Sequence, residues 1–439
     1  MTRASNPGPS VPNPSSARVA AGAARVAADI ANPPGQEAHR ARGTAPALSS
    51  GQVLLLAVAS GASVANVYYA QPLLDTLSRD FGIGTAAVGG VISATQLGCA
   101  LALVLLVPLG DRLERRRLLM LQLIALAGAL ALVACAPAAP ALLAGMLAVG
   151  LLGTAMTQGL IAYAATAATG TGQGRVVGAA QGGVFVGLLL ARVFAGAISD
   201  LAGWRGVYAG AALLMLVLLL PLWRRLPALP PPRSPLPYRA LIGSMLSLLR
   251  EERVLRVRGT LALLMFAAFN IFWSALVLPL SAPPYAFTHT AIGAFGLVGA
   301  LGALAAARAG HWADLGWERR TTSGALSLLL IAWWPLAQLP HALWALIVGI
   351  VLLDLGGQAL HVTNQSMILR TRPDAPGRLI GVYMLFYAVG SGLGAFGATQ
   401  SYALGGWTAV CVLGAAVSLT ALLFWALTLA PTRRNPGPG

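Results

Sequence analysis

The feature that most constrains this chain is a series of apolar stretches, each long enough to cross a membrane. A helix needs about 20 mainly apolar residues to span the hydrocarbon core. Twelve such stretches lie near residues 53–74, 87–109, 117–136, 140–163, 176–199, 206–223, 258–280, 291–310, 321–339, 341–368, 378–401 and 407–429. Because 57% of the 439 residues are hydrophobic and only 10% are charged, the composition is also that of a membrane protein. We therefore predict an all-α integral membrane fold with twelve transmembrane helices.

The polar segments divide the chain into two bundles of six helices each. Residues 224–257 are rich in proline and arginine, and we interpret them as a solvated cytoplasmic linker between bundles at 51–223 and 258–430. Residues 1–50 and 431–439 are predicted to be cytoplasmic tails, the first of them disordered. An organelle transit peptide is an alternative for the first tail, since it contains arginine and few acids, although its prolines would break an amphipathic helix.

The distribution of positive charge predicts the orientation of the chain. A net charge of +16 could suggest nucleic-acid binding, but basic residues separated by apolar spans cannot form one continuous groove for phosphates, so we expect no nucleic-acid partner. With the N-terminus inside, all of the 29 basic residues except Arg79, Arg192 and Arg205 lie in inner loops or tails. Positive charge collects on the cytoplasmic side of membrane proteins. We therefore predict a multi-pass protein of the cell (inner) membrane with both termini in the cytoplasm.

The two halves of the chain repeat one another at an offset of about 203 residues. Asp111 then coincides with Asp314, "GRVVG" at 174–178 with "GRLIG" at 377–381, and "GW" at 203–204 with "GW" at 406–407. Several coincidences at one offset indicate two halves of common design. Parallel repeats of this kind are typical of transporters whose binding site lies near the membrane midplane, between the halves.

These features resemble the major facilitator superfamily. The stretch "LGDRLERRRLL" at 109–119 is similar to its signature Gly-x-x-x-Asp-Arg-x-Gly-Arg-Arg, although Val107 and Glu114 stand where glycines are usual. In the second copy Gly310 and Asp314 match, whereas Leu315 replaces the arginine. The stretches "NVYYAQPLL" (66–74) and "LLLARVFAGAISDLAGWRGVY" (188–208) resemble the proton-coupled drug and sugar efflux branch, which includes the arabinose-efflux permeases.

The resemblance implies that the signature residues form a conformational gate between the halves. An aspartate at a tight inner turn can also pair with arginine and accept hydrogen bonds at a helix N-terminus. The alternative is that these arginines are only positive-inside anchors, and we favour it for Arg117 and Arg320. The predicted gate consists of Asp111, Arg112, Arg115, Arg116, Asp314 and Arg319.

One polar stripe within the tenth span is a candidate for proton coupling. Asp354, Gln358, His361 and Gln365 are spaced by four, three and four residues, so they share one helical face. Polar groups are costly in lipid, so this face must line a cavity or pair within the bundle. Asp354 and His361 are the first candidates to carry a proton.

Two further charged residues are candidates for coupling. Asp75 follows the first span and is a third candidate to carry a proton. Arg192 lies in the outer half of the fifth span, where it could reach outward or pair with Asp75 or Asp200.

The resemblance implies a substrate cavity lined by spans 1, 4, 7 and 10. Gln158 in span 4 is the repeat partner of His361, but Ala155 stands where antiporters of the family have an arginine. Aromatic and amide groups in these spans could instead be packing residues. The predicted cavity residues are Asn66, Tyr69, Gln71, Gln158, Asn270, Trp273, Gln358 and Gln365.

The sequence contains no recognisable nucleophile–base set and no phosphate-binding loop, and its three cysteines match no metal motif. We therefore predict no enzyme, no ATP-driven pump, no cofactor and no metal. The function that fits is a monomeric secondary transporter whose partners are a small-molecule substrate, protons and the lipid bilayer, with proton-coupled efflux favoured. An importer of sugars or organic acids and a non-transporting membrane receptor are the alternatives.

Overall fold

The computed structural model describes residues 48–168, 172–229, 237–302, 308, 315–372 and 376–429. Within these ranges the chain forms helices and no β-strand. Seven of the helices are long and apolar enough to cross a membrane, and Ser50–Ala65 and His289–Leu301 are shorter apolar helices.

The described helices belong to twelve spans in two halves of six, and residues 303–307 and 309–310 of the predicted eighth span lie outside the described residues. Spans 1 to 4 are Ser50–Ala65, Gly90–Leu101, Arg115–Ala134 and Ala139–Ala167, and the helix Gln173–Arg225 supplies spans 5 and 6. Spans 7 to 10 are Arg253–Ala275, His289–Val298, Glu318–Ile331 and Leu343–Leu369, and the helix Pro376–Leu429 supplies spans 11 and 12. Short helices at Leu74–Phe81, Val277–Ser281 and Trp333–Ala337 follow spans 1, 7 and 9.

The two longest helices bend at equivalent glycines. Gly203 (φ 70°) and Gly406 (φ 62°) adopt left-handed backbone conformations, which glycine tolerates at little cost. Each is followed by a tryptophan that fixes the corner: Trp204 donates from Nε1 to Asp80 at 2.6 Å, and Trp407 donates to the Leu336 carbonyl at 2.8 Å. The repeated "GW" pair is thus the same structural corner in both halves.

Within each half, glycines bring one pair of spans into backbone contact. A Cβ added at Gly187 of span 5 would overlap with the Gly61 carbonyl of span 1. A Cβ at Gly390 of span 11 would overlap with the Leu263 carbonyl of span 7. Small residues allow such close helix approach in membrane proteins. The same pairing therefore organises both halves.

The structure corrects the expectation of a uniformly solvated linker. Residues Tyr238–Glu251 form an amphipathic helix, which we call the linker helix. Its buried residues Leu241, Met245 and Leu248 follow helical spacing, and the last two pack in a cluster with Leu379 and Tyr383 of span 11. Proline and arginine at its ends concealed this apolar stripe in the composition of the segment.

The two halves touch at one end of the bundle and separate at the other. The end where the halves touch is called the closed face, and it is formed by the ends of spans 1, 5 and 8 around Asp75, Asp200 and His289. A Cβ at Gly196 of span 5 would overlap with the His289 carbonyl, and one at Gly89 would overlap with the Ala395 carbonyl of span 11. Both glycines therefore permit contact between the halves at this face.

The open face is the opposite end, around Arg115 and Arg378. A cavity of about 850 Å³ enters there between the halves. Arg115 and Gln158 line it from the first half, Met245 from the linker helix, and Arg378 from span 11. Among the described residues, the large cavity therefore opens at this face, and the close contacts between the halves lie at the other.

Replacing Gly196 by alanine should separate the halves at the closed face, because the new methyl group would overlap with backbone that cannot yield. We expect a longer distance between spin labels at Thr85 and Leu404, measured by pulsed electron paramagnetic resonance in a cysteine-free background. Gly182 lies in the same helix with nothing within 4 Å of an added Cβ, so Gly182→Ala is the matched control. Unchanged distances in Gly196→Ala would show that this contact does not set the closure.

Candidate functional site

A small central cavity lies between the halves on the inner side of the closed face. Its volume is about 70 Å³, and it is lined by side chains from spans 1, 5, 7, 10 and 11 and by glycines of span 8. Six of the residues predicted from the sequence are among them: Gln71, Arg192, Asn270, Trp273, Asp354 and Gln358.

Arg192 is buried at this cavity, with 6% of its surface exposed. Its Nε donates to Gln71 Oε1 at 2.8 Å, and its guanidinium lies 4.1 Å from the centre of the Trp273 ring and 5.5 Å from that of Tyr68. The aromatic faces supply cation–π attraction, which is stronger away from water. The expected pairing with Asp75 or Asp200 is wrong, since the side chain points inward and His289 occupies both carboxylates.

A hydrogen-bonded relay of amides joins the two halves beside Arg192. Gln71, which accepts from Arg192, donates from Nε2 to Asn270 Oδ1 at 3.2 Å. Asn270 in turn donates to the Phe266 carbonyl. Polar groups at a buried interface must be paired in this way to offset their desolvation.

Asp354 brings a second buried charge to the same cavity. It is 6% exposed, and its Oδ2 accepts no hydrogen bond from any described residue. Span 8 makes room for it, since a Cβ at Gly299 would lie 2.8 Å from that oxygen. Asp354 also lies near enough to Arg192 for the two charges to interact, without an ion pair.

The lower part of the predicted polar stripe pairs within the second half. His361 Nδ1 hydrogen-bonds the Tyr383 hydroxyl at 2.9 Å, and its Nε2 lies 3.2 Å from the Gln365 amide nitrogen. The Phe266 ring packs edge-on against the imidazole. Neither His361 nor Gln365 lines the two cavities, whereas Asp354 and Gln358 line the central one. Two members of the stripe therefore line a cavity, and the other two pair within the bundle.

The structure places the remaining predicted cavity residues elsewhere. Gln158 lines the large cavity of the open face. Asn66 donates to the Ala62 carbonyl of its own span, and Tyr69 is buried. Neither lines a described cavity; their neighbour Tyr68 lines the central one, three residues before Gln71.

The predicted cavity residues did not include five aromatic residues that line the central cavity: Tyr68, Phe185, Phe266, Phe269 and Tyr387. The Tyr68 and Tyr387 hydroxyls form a hydrogen bond between the halves. The spacing of three residues between Tyr68 and Gln71 was the signal that could have revealed Tyr68.

At the open face, the described signature arginines bind within the first half. Arg115 donates to the Ala162 carbonyl at 2.6 Å and to the Thr166 hydroxyl, both in span 4. Arg116 donates to the Trp223 carbonyl and lies over the Trp223 ring in span 6. These contacts hold the ends of spans 3, 4 and 6 together.

The rest of the predicted gate is either exposed or outside the described residues. Arg112 and Arg319 are exposed to solvent. The side chain of Asp111, and Gly310 and Asp314 entirely, lie outside the described residues. The gate at this face thus stays a prediction.

The closed face is held by a cluster that we call the Asp–His–Asp latch: Asp75, His289 and Asp200. His289 begins span 8 in the second half, and Asp75 and Asp200 belong to the first half. His289 Nε2 lies 3.0 Å from Asp75 Oδ1, and its Nδ1 lies 3.2 Å from Asp200 Oδ1. The imidazole therefore bridges two carboxylates across the interface.

Asp200 also caps span 8 from outside its own helix. It accepts hydrogen bonds from the backbone N–H groups of His289 at 3.1 Å and Thr290 at 2.8 Å, and from the Thr290 hydroxyl at 2.6 Å. A carboxylate at a helix N-terminus satisfies unpaired N–H groups and complements the helix dipole. The sequence analysis considered both acids but missed His289, one of only five histidines.

The surroundings of Asp75 favour its charged form. Burial by itself would raise the pKa of this carboxyl, but the hydrogen bond and charge of His289, with Arg79 at 2.9 Å, outweigh burial and lower the pKa. A group with a depressed pKa stays ionised at neutral pH and loses its charge only as the solution becomes acidic. Asp75 is thus a fixed anion of the latch, which argues against its predicted role as a proton carrier.

Replacing His289 by alanine should open the closed face and remove its pH dependence. A protonated imidazole can donate to both acids at once, whereas a neutral one can donate from only one nitrogen. We therefore expect the closed state to be more populated at about pH 6 than at about pH 8 in the unmodified protein. The same spin-label distance measures this population.

His341 is exposed near the same face, so His341→Ala is the control for the loss of a histidine. It should keep the pH dependence of the parent protein. A His289→Ala variant that stays closed with unchanged pH dependence would contradict a role of the latch in closure.

Comparisons with known proteins agree with this architecture. The family model described as Major Facilitator Superfamily matches residues 54–331 and 259–439. The chain is 40% identical over 378 residues to the "Putative uncharacterized transporter YgaY" of Escherichia coli (strain K12). The alignment covers 86% of this chain and 95% of the relative. The chain is also 30% identical over 379 residues to the "Probable transporter SCO4007" of Streptomyces coelicolor, covering 82% and 84%.

Solved structures show the same fold at low identity. A nucleoside transporter, NupG, aligns with a TM-score of 0.69 at 13% identity, covering 86% of this chain and 99% of that one. A bacterial homologue of the human lysosomal transporter Spinster, in an inward-facing and unoccupied conformation, aligns with a TM-score of 0.65 at 14% identity, covering 86% and 95%. With two matched halves around a buried polar cavity, this chain belongs to the Major Facilitator Superfamily and is a membrane transporter, not an enzyme.

Proposed function

We propose that this transporter exports a small organic molecule in exchange for protons, by alternating access of the central cavity to the two faces. The observation that carries the proposal is the buried carboxylate of Asp354, which lines a cavity sealed from one face and has an oxygen without a partner. We further propose that the protein works as a monomer in the inner membrane.

Protonation would stabilise the buried carboxyl group of Asp354. An ionised carboxylate inside a membrane bundle is costly unless it is paired, and protonation removes that cost. If the substrate also binds this carboxylate, substrate and proton compete for one group. Competition of that kind couples the movement of one to the opposite movement of the other, because only one of them occupies the site in each half-cycle.

The arginines support the proposed orientation and direction. Arg112, Arg115, Arg175 and Arg378 all lie at the open face, and positive charge marks the cytoplasmic side. The large cavity then opens to the cytoplasm. An exporter takes up its substrate from the cytoplasm in such a state.

Import of sugars or organic acids is the second candidate. The amides of Gln71, Asn270 and Gln358 beside the Trp273 ring favour it, because amide groups and aromatic faces are suited to hydroxylated molecules. Counterflow of labelled sugars, organic acids and amines into proteoliposomes separates the candidates by the substrate that exchanges.

Replacing Asp354 by asparagine should abolish transport driven by a pH gradient, because the variant keeps the shape of the side chain but cannot take up a proton. Transport is measured in proteoliposomes with an imposed pH gradient, and folding by the elution profile in detergent. Glu251→Gln removes an exposed carboxylate from the linker helix and is the control. Full gradient-driven activity in Asp354→Asn would exclude this residue as the coupling group.

The orientation has a separate test. A green fluorescent protein fused after Gly439 should fluoresce, and alkaline phosphatase fused at the same position should be inactive, because both termini are proposed to be cytoplasmic. The opposite pattern would reverse the assignment of the open face and with it the proposed direction.

A further inference from the structure

Two buried groups of opposite charge face the central cavity without satisfying one another. Arg192 and Asp354 are each 6% exposed, and they form no ion pair within 4.0 Å. Separating two buried charges costs several kcal/mol unless other groups complete their interactions. A ligand that bridges them would supply those interactions.

The arginine end is arranged for a carboxylate. Arg192 uses Nε for Gln71, and in the described part of the chain no oxygen accepts from its two terminal Nη groups. Trp273 and Tyr68 hold the guanidinium plane in place. A fixed guanidinium with free parallel N–H groups fits a carboxylate in a bidentate manner.

The aspartate end is arranged for a hydrogen-bond donor that carries positive charge. Asp354 accepts no hydrogen bond from a described residue, and its Oδ2 is inaccessible to bulk solvent. This oxygen packs against the backbone of Gly299 of span 8, where a Cβ would lie 2.8 Å from it. An ammonium group in the cavity can donate to the carboxylate and neutralise its charge.

Both charged side chains pack on the same stretch of span 8. The Cβ and Cδ atoms of Arg192 pack on Gly296, and the carboxylate of Asp354 packs on Gly299, three residues further along the chain. The two side chains therefore reach the cavity close to one another, so the charges of a ligand that bridges them must also be close together. The cavity of about 70 Å³ has the volume of roughly two water molecules, so it accommodates a compact headgroup.

Other ligand classes leave at least one of the two charges of the cavity without a counterion. A neutral sugar leaves both charges without a counterion, and a simple amine leaves Arg192 unpaired beside a second cation. A simple carboxylate adds a negative charge next to Asp354. We infer that the central cavity binds the zwitterionic headgroup of an α-amino acid or a similarly short amphoteric compound, with Arg192 holding the carboxylate and Asp354 the ammonium group.

Phe266 and Phe269 line the same cavity and are suited to an apolar tail. The inference rests on the proposed function, because it names the substrate class of the proposed transporter. It adds that the ammonium group is what competes with the proton at Asp354.

Binding to the purified full-length protein in nanodiscs tests the inference without any gradient. Three matched trios serve as probes: alanine, ethylamine and propanoate; leucine, 3-methylbutylamine and 4-methylpentanoate; phenylalanine, phenethylamine and 3-phenylpropanoate. Isothermal calorimetry should show binding of at least one amino acid, with its amine and acid analogues weaker by about 10-fold or more, as expected for the loss of a charged hydrogen bond. Binding by no amino acid, or equal binding by an analogue that lacks one charge, would overturn the inference.

Variants of the two charged residues assign each end of the ligand. In Arg192→Gln the preference for the amino acid over its amine analogue should fall to about 2-fold or less. In Asp354→Asn the preference for the amino acid over its acid analogue should fall to about 2-fold or less. Arg192→Lys keeps the charge and should retain part of the preference, which separates loss of recognition from loss of folding. Arg117→Gln, at an exposed position, is the control.

The outcomes also separate this inference from the proposed function. Amino-acid binding with normal discrimination but without gradient-driven transport would retain the substrate class and reject proton coupling. Proton-driven transport of molecules that lack one of the charges would retain proton coupling and reject the substrate class.

Discussion

The buried guanidinium of Arg192 is the group on which the arrangement of the central cavity depends. A charge at this position in a membrane bundle must be compensated by its surroundings. The compensation comes from both halves: Gln71 and Tyr68 from the first, and Trp273 from the second. Because Arg192 is held by groups on both sides of the interface, separating the halves at the closed face must also break or rearrange its contacts. The charged site and the conformational change are therefore physically linked.

Glycines make this linkage possible by letting backbone meet backbone where the halves join. Gly196 and Gly89 permit contact at the closed face, and Gly299 leaves space for Asp354. The Asp–His–Asp latch then adds polar contacts at the same face, where Asp200 completes the N-terminus of span 8. The closed face is thus held by directional hydrogen bonds over a close-packed interface. Such an interface can release as a unit, because its contacts support one another.

Much of this architecture could be predicted from the sequence, because hydrocarbon thickness and positive charge act on local composition. The twelve spans and the repeat are of this kind, and the "GW" corners coincide at the predicted offset. The polar stripe in span 10 was also found, since helical spacing fixes its face. Which of its members face a cavity depends on neighbours from other spans, so Asp354 and His361 could not be told apart.

Contacts between segments that are distant in the chain were the main features that could not be predicted from the sequence. His289 bridges two residues that lie 214 and 89 positions away in sequence, and no local pattern encodes such contacts. Similarly, Arg192 was placed in the correct span but paired with the wrong acids, because span rotation is set by packing. The apolar stripe of the linker helix was hidden by the prolines and arginines around it.

The central claim is that the two faces of this transporter open alternately around one buried site. Single-molecule fluorescence energy transfer with one donor–acceptor pair across each face, recorded simultaneously in proteoliposomes, tests it most directly. If the faces open alternately, the distance across the closed face increases whenever the distance across the open face decreases. Distances that change together, or that stay fixed while transport proceeds, would contradict it.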